Sequence, residues 1–395
     1  MEATYSDITA KTIKIITVKT VTGETIMENP FKYGGPVTGE DFTDRKRELE
    51  ELKIEMLSGQ NVIIYSPRRF GKSSLVYNAL LSLGEQVVPL WIDCYGVLTK
   101  RELAEKMTSE ALKHLKFKNL LESVKKLFKT VTPKIRLGET IEVEFSFGDE
   151  KIALDESLEL PQRLAEHLEK RVVVVFDEFQ EVAELGEDVL KRMRSKFQWQ
   201  ESVTFIFIGS RRSMMEKIFR SAQSPFYNFG RHMVLGKIPR VEFKEFIVRK
   251  FTETGVEIEP DVVDEILNLT NGHPYYTQKF CHKLWYVGKL EGRLNLNSIR
   301  ETFKELVEES EASYIEIWDA LPLSQRKVLL AIARGERDLY SAEFLMRYGF
   351  TSTSVVQYSI NALREKELIH RVNGKFEVSD PFLRHWLLWR FGGAR

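Results

Sequence analysis

The stretch that decides the fold is Asn61-Val-Ile-Ile-Tyr-Ser-Pro-Arg-Arg-Phe-Gly-Lys-Ser-Ser74. Its apolar run, Val62 to Tyr65, predicts a short buried strand, and residues 74–83 predict a helix. Between them lies a tight loop that closes with Gly71-Lys72-Ser73. A strand, a loop and a helix in this order are typical of a phosphate-binding P-loop, whose backbone N–H groups and helix N-terminus attract phosphate. The alternative is a chance Gly-Lys-Ser sequence between a strand and a helix.

P-loop chemistry assigns roles to single residues. Lys72 would reach the β- and γ-phosphates of a nucleotide, and the Ser73 hydroxyl would bind Mg²⁺. Ser66 stands where the pattern G-x-x-x-x-G-K-S/T has its first glycine. That glycine relieves a backbone constraint and does no chemistry, so we expect the mechanism to survive its replacement. Arg68 and Arg69 either touch the nucleotide or face a lid. We expect nucleotide contact from the whole loop: Ser66, Pro67, Arg68, Arg69, Phe70, Gly71, Lys72, Ser73 and Ser74.

A second strand, in Arg171-Val-Val-Val-Val-Phe-Asp-Glu-Phe-Gln180, ends in two adjacent carboxylates. Its five apolar residues predict burial on both faces, as in a parallel sheet. Asp177 would hold the Mg²⁺ shell, and Glu178 would polarise a water for in-line attack on the γ-phosphate. The alternative is an ordinary acidic exit from a strand.

Further strands are predicted at residues 86–93, 203–210 and 233–238, with helices at 98–115, 116–130 and 157–170. This order predicts an α/β fold with a five-stranded parallel sheet, whose ligand binds beyond the carboxyl ends of the strands. Alternating residues predict a β-hairpin inserted at 133–148 and another at 11–27.

Cationic and polar residues follow the strand at 203–210. Ser210, Arg211 and Arg212 are candidates to lie beside the γ-phosphate, and a solvated helix start is the alternative. Arg231 would contact phosphate in its own chain or in a neighbour, or would be a structural surface residue. The sequence does not decide which arginine senses the γ-phosphate.

A glycine- and proline-rich loop, residues 29–39, precedes the P-loop strand and leads into a helix for which Asp44 is a candidate N-cap. It is either a plain surface loop or part of a nucleotide-base pocket that folds back over the P-loop. After the sheet, helices are predicted at 241–252, 260–269, 273–290 and 297–306, the last continuing to about 319. Pro274 could pack near the base where such a helical lid closes, whereas His273 is more typical of a loop or cap.

The pattern changes again from Leu321. Helices at 324–334, 341–347 and 352–366 precede two short strands joined across Asn373-Gly374, a strong hairpin signal. Three helices and a two-stranded wing make a winged helix-turn-helix. Residues 321–395 hold 12 Lys+Arg and 7 Asp+Glu, a net charge of +5. Winged helices bind either DNA or protein. The third helix and the wing offer these polar groups to DNA: Thr351, Ser352, Thr353, Ser354, Gln357, Asn361, Arg364, Arg371 and Lys375.

Composition adds few constraints. The 395 residues carry 58 Lys+Arg and 58 Asp+Glu, so the net charge favours no class of partner. The two cysteines, Cys94 and Cys281, form no metal-ligand pattern, which suits a reducing cytosol. The N-terminus predicts no signal peptide, and the absence of a run of about 18 apolar residues predicts no membrane span.

Taken together, these motifs resemble the archaeal-type ATPases of the STAND group of P-loop NTPases, which are similar in layout to the AAA+ origin-recognition proteins. The resemblance covers residues 29–387, and the hairpin before it is atypical. It implies ATP binding and hydrolysis, and it implies that Phe42 and Arg45 belong to the adenine pocket. The segments that carry it are Asn29-Pro-Phe, Phe42-Thr-Asp-Arg45, Ser66-Pro-Arg-Arg-Phe-Gly-Lys-Ser-Ser74, Asp177-Glu-Phe-Gln180, Gly209-Ser210, Ser224-Pro-Phe, Gly230-Arg231, Asn271-Gly-His-Pro274 and Asp380-Pro-Phe-Leu-Arg-His-Trp-Leu387.

We therefore expect an N-terminal hairpin at 1–28, a P-loop ATPase core at 29–238, a helical lid at 239–318 and a winged helix at 319–395. The expected function is a Mg²⁺-dependent, cytoplasmic ATPase that acts as a nucleotide-controlled switch on ATP and ADP. Duplex DNA through residues 351–376 is one candidate partner. A signalling scaffold that uses the winged helix for protein contact or self-assembly is the alternative.

Overall fold

Five parallel strands form the centre of the computed structural model, which describes residues 28–43, 45–115, 126–128, 134–137, 141–144, 150–372 and 374–392. Across the sheet the strands lie in the order Val87–Asp93, Arg171–Asp177, Val203–Gly209, Val62–Tyr65 and Arg231–Val234, which confirms the predicted five-stranded parallel sheet. The strands are β1 (Val62–Tyr65), β2 (Val87–Asp93), β5 (Arg171–Asp177), β6 (Val203–Gly209) and β7 (Arg231–Val234).

The central strands β1, β5 and β6 are buried on both faces because helices cover each side of the sheet. On one face Phe176, Phe205 and Phe207 stack at the centre of a large apolar cluster. On the other, Ile64, Val175 and Ile206 pack against the helices on either side of β1. The flanking helices are α1 (Lys46–Ser58), α2 (Lys72–Leu83), α3 (Lys100–Leu112), α4 (Glu150–Leu168), α5 (Gln180–Glu184), α6 (Glu187–Phe197) and α7 (Arg212–Arg220), with 3₁₀ turns at Gly39–Asp41 and Gly84–Gln86.

The parallel register brings the functional strand ends to one edge. Asp93 lies opposite Asp177, and Tyr65 lies opposite Gly209. The P-loop, the Asp177-Glu178 pair and Ser210 therefore all leave the sheet at its carboxyl edge, as predicted.

Two predicted boundaries in the sheet domain are wrong, and the lid helix predicted from 297 to about 319 is two helices, with a break at Glu309 and Ser310. The last strand is Arg231–Val234, not 233–238, because it pairs with all four residues of β1 from Val62 onward. Helix α4 begins at Glu150, seven positions before residue 157. The fully buried Ala153 and Leu154 extend its apolar face toward the N-terminus.

The inserted hairpin is present in its described part, where β3 (Lys134–Leu137) pairs antiparallel with β4 (Ile141–Glu144). The predicted hairpin at 11–27, most of the predicted helix at 116–130 and the candidate cap Asp44 lie outside the described residues. Helix α1 begins after Arg45, whose φ is 61°.

The second half of the chain is helical and ends in a winged helix, as predicted. The lid helices are α8 (Arg240–Glu253), α9 (Pro260–Leu269), α10 (Pro274–Glu291), α11 (Leu296–Glu308) and α12 (Glu311–Asp319), with short strands β8 (Glu257–Ile258) and β9 (Arg293–Leu294). The winged helix comprises α13 (Leu323–Ala333), α14 (Ala342–Tyr348), α15 (Thr353–Glu365), β10 (Ile369–Val372), β11 (Lys375–Val378) and α16 (Pro381–Phe391). Within the described part of the chain, no helix is long and apolar enough to span a bilayer.

Lid and winged helix share one apolar cluster rather than forming two. Phe280 and Phe303 of the lid and Phe382 of α16 belong to the same buried set, and the Phe303 and Phe382 rings are 5.2 Å apart. Phe31, from the loop before the P-loop, joins this cluster at 4.6 Å from the Phe251 ring. The proposed bounds of the four domains stay predictions.

Candidate nucleotide-binding site

A cavity of about 520 Å³ opens at the carboxyl edge of the sheet, between the P-loop and the lid. Its volume lies in the range of small-ligand sites, about 300–1,000 Å³. Predicted site residues that line it are Phe42, Arg45, Arg68, Arg69, Phe70, Gly71, Lys72, Ser73, Ser74, Glu178 and Pro274. Four other predicted residues contact the lining: Ser66 and Pro67 bind Lys72, Asp177 binds Ser73, and Ser210 binds Glu178.

The P-loop turns sharply into α2 at Gly71, whose φ of 85° favours glycine. A Cβ at Gly71 would project into open space, so the cavity reaches the backbone at the N-terminus of α2. Lys72 is buried, and its Nζ donates to the carbonyl oxygens of Ser66 and Pro67 at 3.0 and 3.1 Å. Burial lowers the pKa of Lys72 to about 8, against the opposing pull of Glu178 and Asp177.

Ser66 needs none of the freedom of the glycine it replaces. It is not among the residues with positive φ, and its hydroxyl donates to the Pro67 carbonyl oxygen at 3.2 Å. The backbone at this position therefore accepts a serine without strain.

Ser73 and Asp177 meet across the site. The Ser73 Oγ donates to Asp177 Oδ2 at 2.8 Å, and Asp177 Oδ1 accepts from the Glu178 N–H at 3.0 Å. Burial raises the pKa of Asp177, and the hydrogen bond from Ser73 opposes that rise. A hydroxyl and a carboxylate oxygen in contact are hard ligands of the kind that Mg²⁺ prefers. The described residues contain no cluster of three or more His, Cys, Asp or Glu side chains suited to a metal. The donor set thus fits an ion that takes its remaining ligands from phosphate and water.

Glu178 projects into the cavity from a left-handed turn, with a φ of 51°. Its Oε2 accepts from the Ser210 hydroxyl at 2.8 Å and from the Ser210 N–H at 3.4 Å. It also accepts from Gln180 Nε2. The strand end at residue 209 therefore anchors the acidic residue predicted to act as a base.

The loop before the P-loop strand folds back over α2 and lines the cavity, which favours the base-pocket interpretation of residues 29–39 over a plain surface loop. Contact of this loop with a nucleotide base stays a prediction. The Val37 N–H donates to Ser74 Oγ, and the Gly39 N–H donates to Asn78 Oδ1, both at 3.1 Å. Arg45 is buried and donates to the carbonyl oxygens of Phe70 at 3.0 Å and Gly236 at 2.8 Å. Arg45 thus ties the P-loop to the segment that leads into the lid.

Three consecutive P-loop residues face the lid and the winged helix. Arg68 Nε lies 2.7 Å from Glu367 Oε2, just after α15. Arg69 lies over the Tyr275 ring at 4.4 Å and donates to the Tyr276 hydroxyl at 3.4 Å.

Phe70 completes this contact. Its ring lies between two imidazoles, 4.6 Å from His273 of the lid segment and 5.8 Å from His370 of the wing. His273, predicted as a loop or cap residue, is the residue before α10 and packs on the P-loop.

The three arginines that were candidates to contact the γ-phosphate do not line the cavity. Arg211 pairs with Glu184 at 3.2 Å and Glu181 at 3.5 Å, and Arg212 pairs with Glu216 at 3.0 Å. Arg231 stands opposite Val62 at the amino edge of the sheet and binds Glu51 and Glu55, each at 2.6 Å. A phosphate contact of Arg231 within its own chain is therefore excluded, because the P-loop begins at the other end of β1.

Sequence reasoning missed part of the cavity wall. Tyr33, Ile238, Phe243, Tyr275 and Gln278 line it. Tyr33 and Tyr275 form an edge-to-face pair with ring centroids 5.8 Å apart. Tyr33 lies within the loop at 29–39, which was a candidate base pocket, and Tyr275 and Gln278 follow Pro274 by one and four residues. No motif marked Ile238 or Phe243.

Comparison with known proteins identifies the family and the fold. Residues 42–280 match a family described as an ATPase domain predominantly from Archaea, and residues 312–389 match a probable winged helix domain. No curated protein matches the chain. A solved Walker-type ATPase of Pyrococcus abyssi has 18% identity and a TM-score of 0.65 and covers 91% of this chain and 99% of its own, a likeness that shows the fold. The Aeropyrum pernix ORC1 protein in complex with DNA has 17% identity and a TM-score of 0.48 and covers 90% of this chain and 94% of its own.

Proposed function

The chain belongs to the family of ATPase domains found predominantly in Archaea, and from this premise we propose that it binds ATP in the cavity and hydrolyses it with Mg²⁺. The observation that carries the proposal is the 2.8 Å contact between Ser73 and Asp177. Two segments about a hundred residues apart supply the two predicted metal ligands, and their contact beside Lys72 supports the proposal.

Each residue has a defined part in this proposal. Lys72 and the N-terminus of α2 hold the phosphates, and Ser73 and Asp177 hold the ion. Bound Mg²⁺ neutralises charge on the phosphate oxygens. Glu178 takes a proton from the attacking water, with its carboxylate anchored by Ser210.

Two variants test the proposal. Lys72→Ala is expected to abolish ATP binding, whereas Glu178→Gln should bind ATP and hardly turn it over. Lys191→Ala and Glu187→Gln on α6 change an exposed ion pair and serve as matched controls. An unchanged hydrolysis rate in Glu178→Gln would overturn the mechanism.

We further propose that nucleotide controls the position of the winged helix. The support is that Arg68, Arg69 and Phe70, all in the phosphate-binding loop, contact the lid or the winged helix. Glu367 is also close enough to raise the pKa of Lys72. A carboxylate of the winged helix and the phosphates of ATP therefore compete for the same cations. Membership of the STAND group stays a prediction.

The partner of the winged helix is proposed to be duplex DNA. The residues of α15 and the wing predicted to contact it include Gln357, Asn361, Arg371 and Lys375, all exposed. DNA retention at low salt should weaken steeply as salt rises, and Lys375→Ala should reduce the salt slope by about 1. No retention with or without ATP would favour the scaffold alternative. Mass measurements with ADP and with a non-hydrolysable ATP analogue would then show nucleotide-dependent assembly.

We also propose a cytoplasmic location. Cys94 and Cys281 are both free and buried, which suits a reducing compartment.

A further inference from the structure

Gln180 is a fully buried amide that no part of the mechanism uses so far. It opens α5, two residues after Glu178, and its side chain has no exposed surface. Its Nε2 donates to Glu178 Oε2 and lies 3.5 Å from Glu181 Oε1. The Gln180 amide therefore binds the Glu178 carboxylate, which is proposed to act as the base.

The hydrogen bonds to Glu178 fix only one of its two carboxylate oxygens. All three hydrogen bonds that the described residues donate to the Glu178 carboxylate end on Oε2, from Gln180 Nε2, Ser210 Oγ and the Ser210 N–H. A carboxylate fixed through Oε2 leaves Oε1 to accept a proton in the cavity that Glu178 lines. Ser210 holds the carboxylate from β6, and Gln180 holds it from α5.

The surroundings of Gln180 show that space is reserved for it. A Cβ on Gly209 would lie 2.7 Å from Gln180 Oε1 and 2.4 Å from the Met215 sulfur. Gly209 therefore makes room for both side chains. Gln180 Oε1 itself is buried and accepts no hydrogen bond from the described residues, which is unfavourable for a buried carbonyl oxygen. An apolar side chain would fill the same space without that cost, so the useful part of Gln180 is its N–H donor.

We propose that Gln180 is a positioning residue for ATP hydrolysis, holding Glu178 so that Oε1 faces the attacking water. This inference rests on the proposed ATPase function. It predicts a loss in the chemical step with no loss in nucleotide binding, because Gln180 itself does not line the cavity.

The test compares Gln180→Met with Gln200→Met in the full chain. Gln200 is also a buried glutamine with an unpartnered Oε1, and its Nε2 donates to the Leu158 carbonyl oxygen at 2.7 Å. It precedes β6 at the opposite edge of the sheet, so it reports the general cost of losing a buried amide. For Gln180→Met we expect kcat to fall by about 10- to 100-fold, since misplacing a catalytic group by about 1 Å costs this much. KM and the ATP dissociation constant should stay within about twofold. Gln200→Met should keep its kcat.

A double variant separates positioning from a structural role. In the Glu178→Gln background, Gln180→Met should cause no further loss of the residual rate, because it acts through Glu178. A further loss, weaker ATP binding, or an unchanged kcat in Gln180→Met would overturn the inference while leaving the ATPase proposal intact. An unchanged rate in Glu178→Gln alone would instead overturn the role of Glu178 as the base, and a native chain that hydrolyses no ATP would overturn the proposed function.

Gln180→Glu covers the case in which the methionine variant fails to fold. This side chain has the same size but donates a hydrogen bond only when protonated. Its kcat relative to the native enzyme should therefore fall as pH rises from about 5 to about 8, since an ionised carboxylate repels its neighbour. A constant ratio across that range would contradict the role of Gln180 as a donor.

Discussion

The contact between Arg68 and Glu367 is the most direct link between the P-loop and the winged helix, and breaking it should tighten ATP binding. Glu367→Gln keeps the size of the side chain and removes its charge. If phosphate and Glu367 compete for Arg68, the variant leaves Arg68 available to bind the phosphates of ATP. The second carboxylate oxygen of Glu367 is buried and has no hydrogen-bond donor among the described residues, which is unfavourable for stability.

The size of the effect follows from the geometry. The pair is close, 2.7 Å, but the two side chains are 52% and 25% exposed, so solvent screens it. An ion pair of this kind contributes about 0.5–1 kcal/mol, and Glu367→Gln should therefore lower the ATP dissociation constant about two- to fivefold. The gain should shrink at high salt, where exposed charges are screened within about 3 Å at 1 M.

The assay is equilibrium ATP binding to native protein, Glu367→Gln, Arg68→Ala and the double variant, at low and high salt. Glu365→Gln, an exposed glutamate two residues earlier in α15, is the control and should bind like the native protein. In the Arg68→Ala background, Glu367→Gln should give a much smaller gain, because only its longer-range effect on Lys72 remains. The same gain with and without Arg68, or no gain at low salt, would refute competition for this arginine.

Three other measurements test the chemistry and packing. Because burial lowers the pKa of Lys72 to about 8, ATP affinity should fall above that pH, and binding titrations of Lys72→Arg, which stays charged, should show no such fall. Burial also lowers the pKa of His273 to about 3 and of His370 to about 4. The unfolded chain then binds more protons than the folded chain below pH 6.5. The free energy of unfolding should therefore drop with falling pH by up to about 1.4 kcal/mol per unit for each histidine. When both histidines are replaced by Phe, the urea midpoint should depend less on pH. Phe207→Ala, at a fully buried ring, should cost about 3–5 kcal/mol in urea unfolding. Tyr95→Ala, at a ring that is 68% exposed, should stay within about 0.5 kcal/mol; equal losses would contradict the assignment of the core.

Local patterns carried the prediction of the fold. The apolar runs before Ser66 and Asp177 identified two central strands, because a strand covered on both faces needs no polar side chain. Asn373-Gly374 identified the wing, since few residue pairs suit a two-residue turn. The last strand was misplaced because its position depends on β1, with which it pairs, and edge strands tolerate polar residues such as Arg231.

The candidate site was predictable where one segment supplies the group and not where distant segments meet. Lys72, Ser73 and Glu178 follow from their own motifs. The orientation of Arg68 depends on Glu367, near the other end of the chain, and that of Arg211 depends on Glu181 and Glu184. A long charged side chain on an exposed loop pairs with an opposite charge that the tertiary fold brings near it. The spacing of residues in the sequence does not predict that partner.

Because lid and winged helix share a single apolar cluster, we expect that they must be exchanged together when chimaeras are made between related proteins. A chimaera that exchanges the winged helix alone would separate Phe303 from Phe382 and leave a solvent-exposed apolar face on each partner. A chimaera joined in the short segment between β7 and α8 would carry the cluster across intact, apart from Phe31, which reaches it from the loop before the P-loop. New partner specificity is therefore expected to transfer onto this ATPase core with the lid attached.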